Sequence, residues 1–140
     1  IKNYQGWLIW DSEIERLTNY EADLATLNLS ADWNPSDDHE LRVKFQWASV
    51  DAILSEVYQI NSNGLLEETS LLTSNFSFAD TALQIRYRYR MGPLSDAYLV
   101  YSRGGYYGSE SGNEGAKNLL EYGWENIQVE SLIFKVRLAF

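Results

Sequence analysis

Cysteine is absent from these 140 residues, and there is one histidine, one methionine and two prolines. Without cysteine there is no disulfide, no thiolate metal site and no cysteine nucleophile. The lone histidine, His39, has no second histidine with which to build a zinc site, and a Ser-His-Asp hydrolase needs partners this chain does not supply. His39 lies in a predicted turn and reads as a solvated turn residue. No run approaches the roughly 18 apolar residues of a membrane-spanning helix, which excludes a helical membrane protein; spanning strands alternate and leave only a weak hydropathy signal. Basic residues are scarce, 11 against 20 acidic, for a net charge of −9. That balance argues against a nucleic-acid partner. Catalytic residues, cofactor and metal are all read as none, so the chain is not taken for an enzyme. No signal-peptide pattern precedes Ile1, which reads as the start of a mature chain or of a fragment.

What the chain has in quantity is period-two alternation. In residues 41–48, Leu41, Val43, Phe45 and Trp47 alternate with Arg42, Lys44, Gln46 and Ala48. In residues 83–91, Leu83, Ile85, Tyr87, Tyr89 and Met91 alternate with Gln84, Arg86, Arg88 and Arg90. Residues 25–33 alternate likewise, from Leu27 to Trp33 against Thr26 to Asp32. Shorter strands are predicted at residues 97–103 and 4–11, and residues 50–60 prolong the third strand, with a short helix as the alternative. With residues 131–140 this predicts six strands. The basic residues fall inside strands and the acidic ones mostly between them. Arginines at alternate positions cannot face lipid, where each costs about 2–4 kcal/mol at the midplane. Arg42, Lys44, Arg86, Arg88, Arg90, Lys135 and Arg137 are therefore expected to share a polar interior, either as a wall favouring anionic solutes or as charge balance against acidic groups.

Connections come in two kinds that alternate. Residues 34–40 and 92–95 are tight, with Pro35 and Pro93 as turn formers. Residues 13–20, 61–75 and 104–130 are longer, polar and acidic. Tight turns share the side on which the chain ends. The glycine-rich start of the longest loop, Gly104, Gly105 and Gly108, lacks the Lys-Ser/Thr of a phosphate loop and reads as a flexible strand exit. Glu110, Glu114 and Glu121 lack the ordered spacing of a calcium loop. Tyr106, Tyr107, Tyr122 and Trp124 read as loop-packing residues rather than sugar-stacking ones, and Trp7, Trp10, Trp33 and Trp47 as an interfacial belt.

The last ten residues place Leu132, Phe134, Val136, Leu138 and Phe140 on one side and Ser131, Lys135 and Arg137 on the other, Ile133 and Ala139 being apolar exceptions. A strand greasy outside, charged inside and ending on Phe resembles the terminal strand of bacterial outer-membrane β-barrels. That resemblance implies an assembly signal, carried by Phe134, Val136, Leu138 and Phe140 and read by the barrel-assembly machinery. Residues 41–52, 83–105 (above all 84–89, 93–96 and 98–105) and 129–140 are similar to a family of large bacterial envelope proteins. In these a carbohydrate-binding-family-9-like module precedes a long domain of unknown function. The similarity covers residues 24–140 and implies a place at that domain's carboxy-terminal end; it brings no catalytic residue.

The expectation is thus an all-β fold, an antiparallel transmembrane β-barrel segment in which residues 1–140 form the carboxy-terminal part of a larger barrel, since single-chain barrels start at about eight strands. The location implied is the bacterial outer membrane, with the carboxy terminus periplasmic and the long loops extracellular. Partners implied are membrane lipid and lipopolysaccharide, the assembly machinery, and the remainder of the barrel or a partner chain. The function expected is a transport or pore-type protein, its carbohydrate link resting on the family's upstream module. The alternatives are a scaffold barrel with a plugged lumen and a soluble β-sandwich binding module.

Overall fold

The computed structural model describes residues 1–11, 15–70 and 73–139. The fold is all-β with one short helix. Its strands are β1 (Lys2–Asp11), β2 (Arg16–Ser36), β3 (His39–Ile60), β4 (Leu66–Glu68), β5 (Phe76–Gly92), β6 (Ser95–Ser109) and β7 (Ile127–Arg137), and its helix α1 is Ala116–Glu125. They form one antiparallel sheet in the order β1-β2-β3-β5-β6-β7, with β4 attached to β3. The sheet is not closed. β2 and β3 run for 21 and 22 residues, about twice the 9–11 that a bilayer needs.

Directly opposed residues share a face, so the register defines rungs across the sheet. One face carries Trp33–Leu41–Tyr87–Leu99–Phe134, then Ala31–Val43–Ile85–Tyr101–Leu132, then Leu29–Phe45–Leu83–Arg103–Glu130. The opposite face carries Asp32–Arg42–Arg86–Val100–Ile133 and Ser30–Lys44–Gln84–Ser102–Ser131. We call them the Ile85 face and the Arg86 face. The β2–β3 turn (Asp37, Asp38) and the β5–β6 turn (Pro93, Leu94) lie at one end, the turn end, and β7 finishes there. The long connections lie at the loop end.

Towards the loop end the two faces exchange character. There the Arg86 face becomes apolar: Tyr20, Ala22, Val50 and Ala52 are buried, with Trp7, Ile9, Leu24, Leu54, Phe76 and Phe78 packed against them. The Tyr20 and Phe76 rings meet edge-on at 5.0 Å. The Ile85 face becomes small and polar over Ala25, Ser49, Ser77, Ala79 and Thr81, all buried, with α1 packed against β5 and β6 above them. Small residues let helix and sheet approach closely. A Cβ on Gly105 would lie 2.0 Å from the Gly123 carbonyl oxygen, and the Thr81 hydroxyl donates to that same oxygen at 2.8 Å. Leu119 is fully buried beneath α1, a burial that contributes about 1.5–3 kcal/mol. Asp51, also on this face, accepts from the Asn113 and Gly115 amides at 2.6 and 2.8 Å and so ties down the chain entering the helix.

Several expected boundaries shift. The connection expected over residues 34–40 shrinks to Asp37–Asp38, because Asn34, Pro35 and Ser36 belong to β2. Proline is tolerated there since, among the described residues, no strand pairs β2 on its outer side at that level. Residues 16–20 of the first expected loop are strand, whereas 50–60 prolongs β3 as expected, without the alternative helix. Part of the expected 104–130 loop is ordered structure: β6 continues to Ser109 and α1 follows. Of the glycines read as a flexible exit, all lie in β6, and Gly105 is the seat of the helix. In the tight β5–β6 turn, Pro93 precedes Leu94 at φ 63°, the left-handed position that glycine usually fills in a type II turn.

Candidate functional site: a basic sheet face

All seven expected basic residues fall on the Arg86 face. Arg42 opposes Arg86, Lys44 opposes Gln84, and Arg88 opposes Tyr98, which in turn opposes Lys135. Arg90 opposes Asp96, which opposes Arg137. β3, β5 and β7 hold them there because strand pleat places alternate residues on one side.

The structure adds acidic partners to this face. Asp96 is 1% exposed. Its Oδ1 accepts from Arg88 Nε and Nη2 at 2.9 and 2.8 Å, and its Oδ2 accepts from Arg137 Nη2 at 2.7 Å. Glu40 takes Arg42 at 2.8 Å and faces Arg88 at 3.7 Å, and Asp32 lies 2.7 Å from Arg42. The seven basic residues outnumber their three acidic partners, Asp32, Glu40 and Asp96. Among the described residues Lys44, Arg86, Arg90 and Lys135 make no ion pair. The Arg86 guanidinium instead stacks over the Tyr98 ring at 5.0 Å from its centre. Arg86, Tyr98, Ile133 and Lys135 line a shallow groove of about 410 Å³. The face balances part of its own charge and leaves the rest available to anions.

Asp96 lies level with Arg90 on the Arg86 face, and protonating it would remove the acceptor that Arg88 and Arg137 share. We therefore expect the turn end to loosen in acid, as that carboxylate is protonated. Asp96→Asn should abolish that acid step and weaken the turn end at neutral pH, because two guanidinium groups lose their shared carboxylate. Hydrogen exchange of the Ser95 and Ala97 amides across pH 2–7 reads both effects.

His39 is not a free turn residue. It opens β3, stacks on Tyr89 at 4.7 Å between ring centres, and hydrogen-bonds the Tyr87 hydroxyl. With Trp33 it forms an aromatic rim at the turn end of the Ile85 face. Trp47 lies at that face's other margin, where Trp124 packs on Phe45 and stacks under Arg103 at 4.1 Å. Trp7 departs from the expected belt: it packs on Phe76 in the cluster on the Arg86 face. Of the expected assembly residues, Phe134 and Val136 stand exposed on the Ile85 face, Leu138 lies past the end of β7 at Arg137, and Phe140 is outside the described residues. Among the described residues no metal-holding cluster occurs.

No family model, curated protein or solved structure matches this chain.

Proposed function

We propose that the chain forms part of the wall of a bacterial outer-membrane β-barrel of transport or pore type, its Ile85 face in lipid and its Arg86 face lining a polar lumen. One observation carries this reading: an exposed apolar band five strands wide backs directly onto a charged face. Leu132 and Phe134 are each 68% exposed, Trp33 63% and Leu29 56%. Soluble monomers rarely leave so continuous a patch open to water, whereas lipid requires one. Its height, over residues 83–91, is about 27 Å along β5, or about 21 Å at a tilt near 40°. Aromatic residues at both margins suit the two interfaces.

On this reading the turn end is periplasmic and the loop end, with α1, is extracellular among lipopolysaccharide. The unpaired Arg86 and Lys135 favour anionic solutes, acidic carbohydrate fragments among them. The kinship with the carbohydrate-binding-family-9-like envelope proteins is part of the same proposal. It predicts such a module encoded upstream, and a reading frame without one removes both the kinship and the carbohydrate link.

The test is conductance of the full-length protein in planar bilayers. We expect anion-preferring channels whose selectivity falls or inverts in the Arg86→Glu, Lys135→Glu double variant. Absence of conductance ends the pore reading. It would favour a scaffold barrel with a plugged lumen, which the aromatic cluster of Tyr20, Phe76 and Phe78 on the lumen side already supports. Recovery in the aqueous fraction without detergent ends both and leaves a soluble sandwich. Deleting Phe140 should lower membrane insertion in cells several-fold, measured as the folded, heat-modifiable band; unchanged assembly removes the signal reading.

A further inference from the structure

The apolar band contains five strands, not six. β1 pairs with β2 only at the loop end, from Lys2 opposite Leu24 to Asp11 opposite Arg16. Residues 25–36 of β2 have β3 on one side and, among the described residues, no strand on the other. The opposite edge of the band is β7, which among the described residues pairs only with β6, from Gly105 opposite Ile127 to Asp96 opposite Arg137. The band therefore ends in two free edges, each a row of unpaired amides and carbonyls that hydrocarbon does not tolerate.

Strand direction restricts what fills them. Every pair in the sheet is antiparallel, so β2, β5 and β7 descend from loop end to turn end while β3 and β6 ascend. The two edges, β2 and β7, run the same way. Closing them on each other, or on copies of this chain in the same orientation, makes a parallel seam. An inverted copy would place its loop end on the wrong side of the bilayer. An antiparallel wall closes only with an odd number of added strands. Three would complete eight, the smallest common number.

The strand beside residues 25–36 must ascend. β1 ascends too, and it enters opposite Leu24 on the same side of β2, in line with that vacant place. We propose that the wall is closed by an odd number of strands of the same polypeptide, the one against residues 25–36 of β2 leading directly into β1. This rests on the membrane reading for the need to close, but the neighbour of β2 is measured independently of it.

The experiment uses the full-length protein in its native membrane, with Leu29→p-benzoylphenylalanine and, separately, Ser30→p-benzoylphenylalanine, one on each face. Folding is verified by heat-modifiable mobility, and cross-linked peptides are sequenced after illumination. The expected result is an intramolecular cross-link to residues immediately ahead of Lys2. A cross-link to β7, to a second copy or to a different protein overturns the proposal, as does a folded protein with no cross-link at either position. Alkaline carbonate extraction of the unsubstituted protein is run beside it. Release by carbonate overturns the membrane reading, while the cross-link still identifies the neighbour of β2.

Discussion

Leu132→Arg is expected to cost about 2–4 kcal/mol when the protein is folded into phospholipid vesicles, the range for arginine near the bilayer midplane. Leu132 lies on the Ile85 face in the central rung Ala31–Val43–Ile85–Tyr101–Leu132. It is 68% exposed, so in water the same substitution would bury nothing and should stay within about 0.5 kcal/mol. The size of the effect thus separates the two solvents. Ser131→Arg, one residue away on the Arg86 face, is the internal control and should cost less than about 1 kcal/mol, because lumen positions accept charge. Urea titration followed by tryptophan fluorescence gives both numbers. Equal, small effects at 131 and 132 would remove the lipid-facing assignment.

Gly105→Ala should undock α1. The added Cβ would lie 2.0 Å from the Gly123 carbonyl oxygen and 3.0 Å from both the Asn126 carbonyl oxygen and the Thr81 hydroxyl. Two of those three are backbone atoms that no rotamer change can move aside. Relief requires the helix to lift, which exposes Leu119 and breaks the Thr81–Gly123 hydrogen bond. Overpacking and lost burial together put the cost at about 2–4 kcal/mol. It should be confined to the loop end, since α1 packs on β3, β5 and β6 there. Limited trypsin digestion at Lys117, which is exposed on α1, should accelerate at least tenfold while the sheet stays intact. Gly92→Ala, whose Cβ would meet nothing within 4 Å, should leave the digestion rate unchanged.

These two positions mark how far the sequence could be read. Leu132 was legible, because alternation over residues 131–137 assigns its side of the strand without knowledge of any neighbour. The seven basic residues were legible for the same reason, and they share one face as expected. Gly105 was not. Its small size matters only because Gly123 of α1, eighteen residues on in the chain, returns to the same spot, and no local pattern announces that return. The expected loop over residues 104–130 failed there: glycine reads as a breaker in sequence and serves as a contact in space. Asp96 was hidden in another way. It sits next to a turn, where acidic residues are ordinarily solvated, and becomes the shared counter-ion of Arg88 and Arg137 only through the register of β6 with β5 and β7.

Alternation also missed the exchange of the two faces. Along β3, Arg42, Lys44 and Gln46 share a side with Val50, Ala52 and Leu54, so one strand carries opposite hydrophobic patterns in its two halves. Read locally, each half is an ordinary amphipathic strand. The sequence by itself determined the strands, their faces and the parity of turns and loops, because these depend on spacing of two residues and on turn chemistry. Tertiary structure alone decided the helix seat, the ion-pair partners, the exchange of faces along the long strands and the count of five strands in the apolar band. Those depend on register between segments far apart in the chain, which hydrogen bonding across the sheet sets and period-two spacing leaves open.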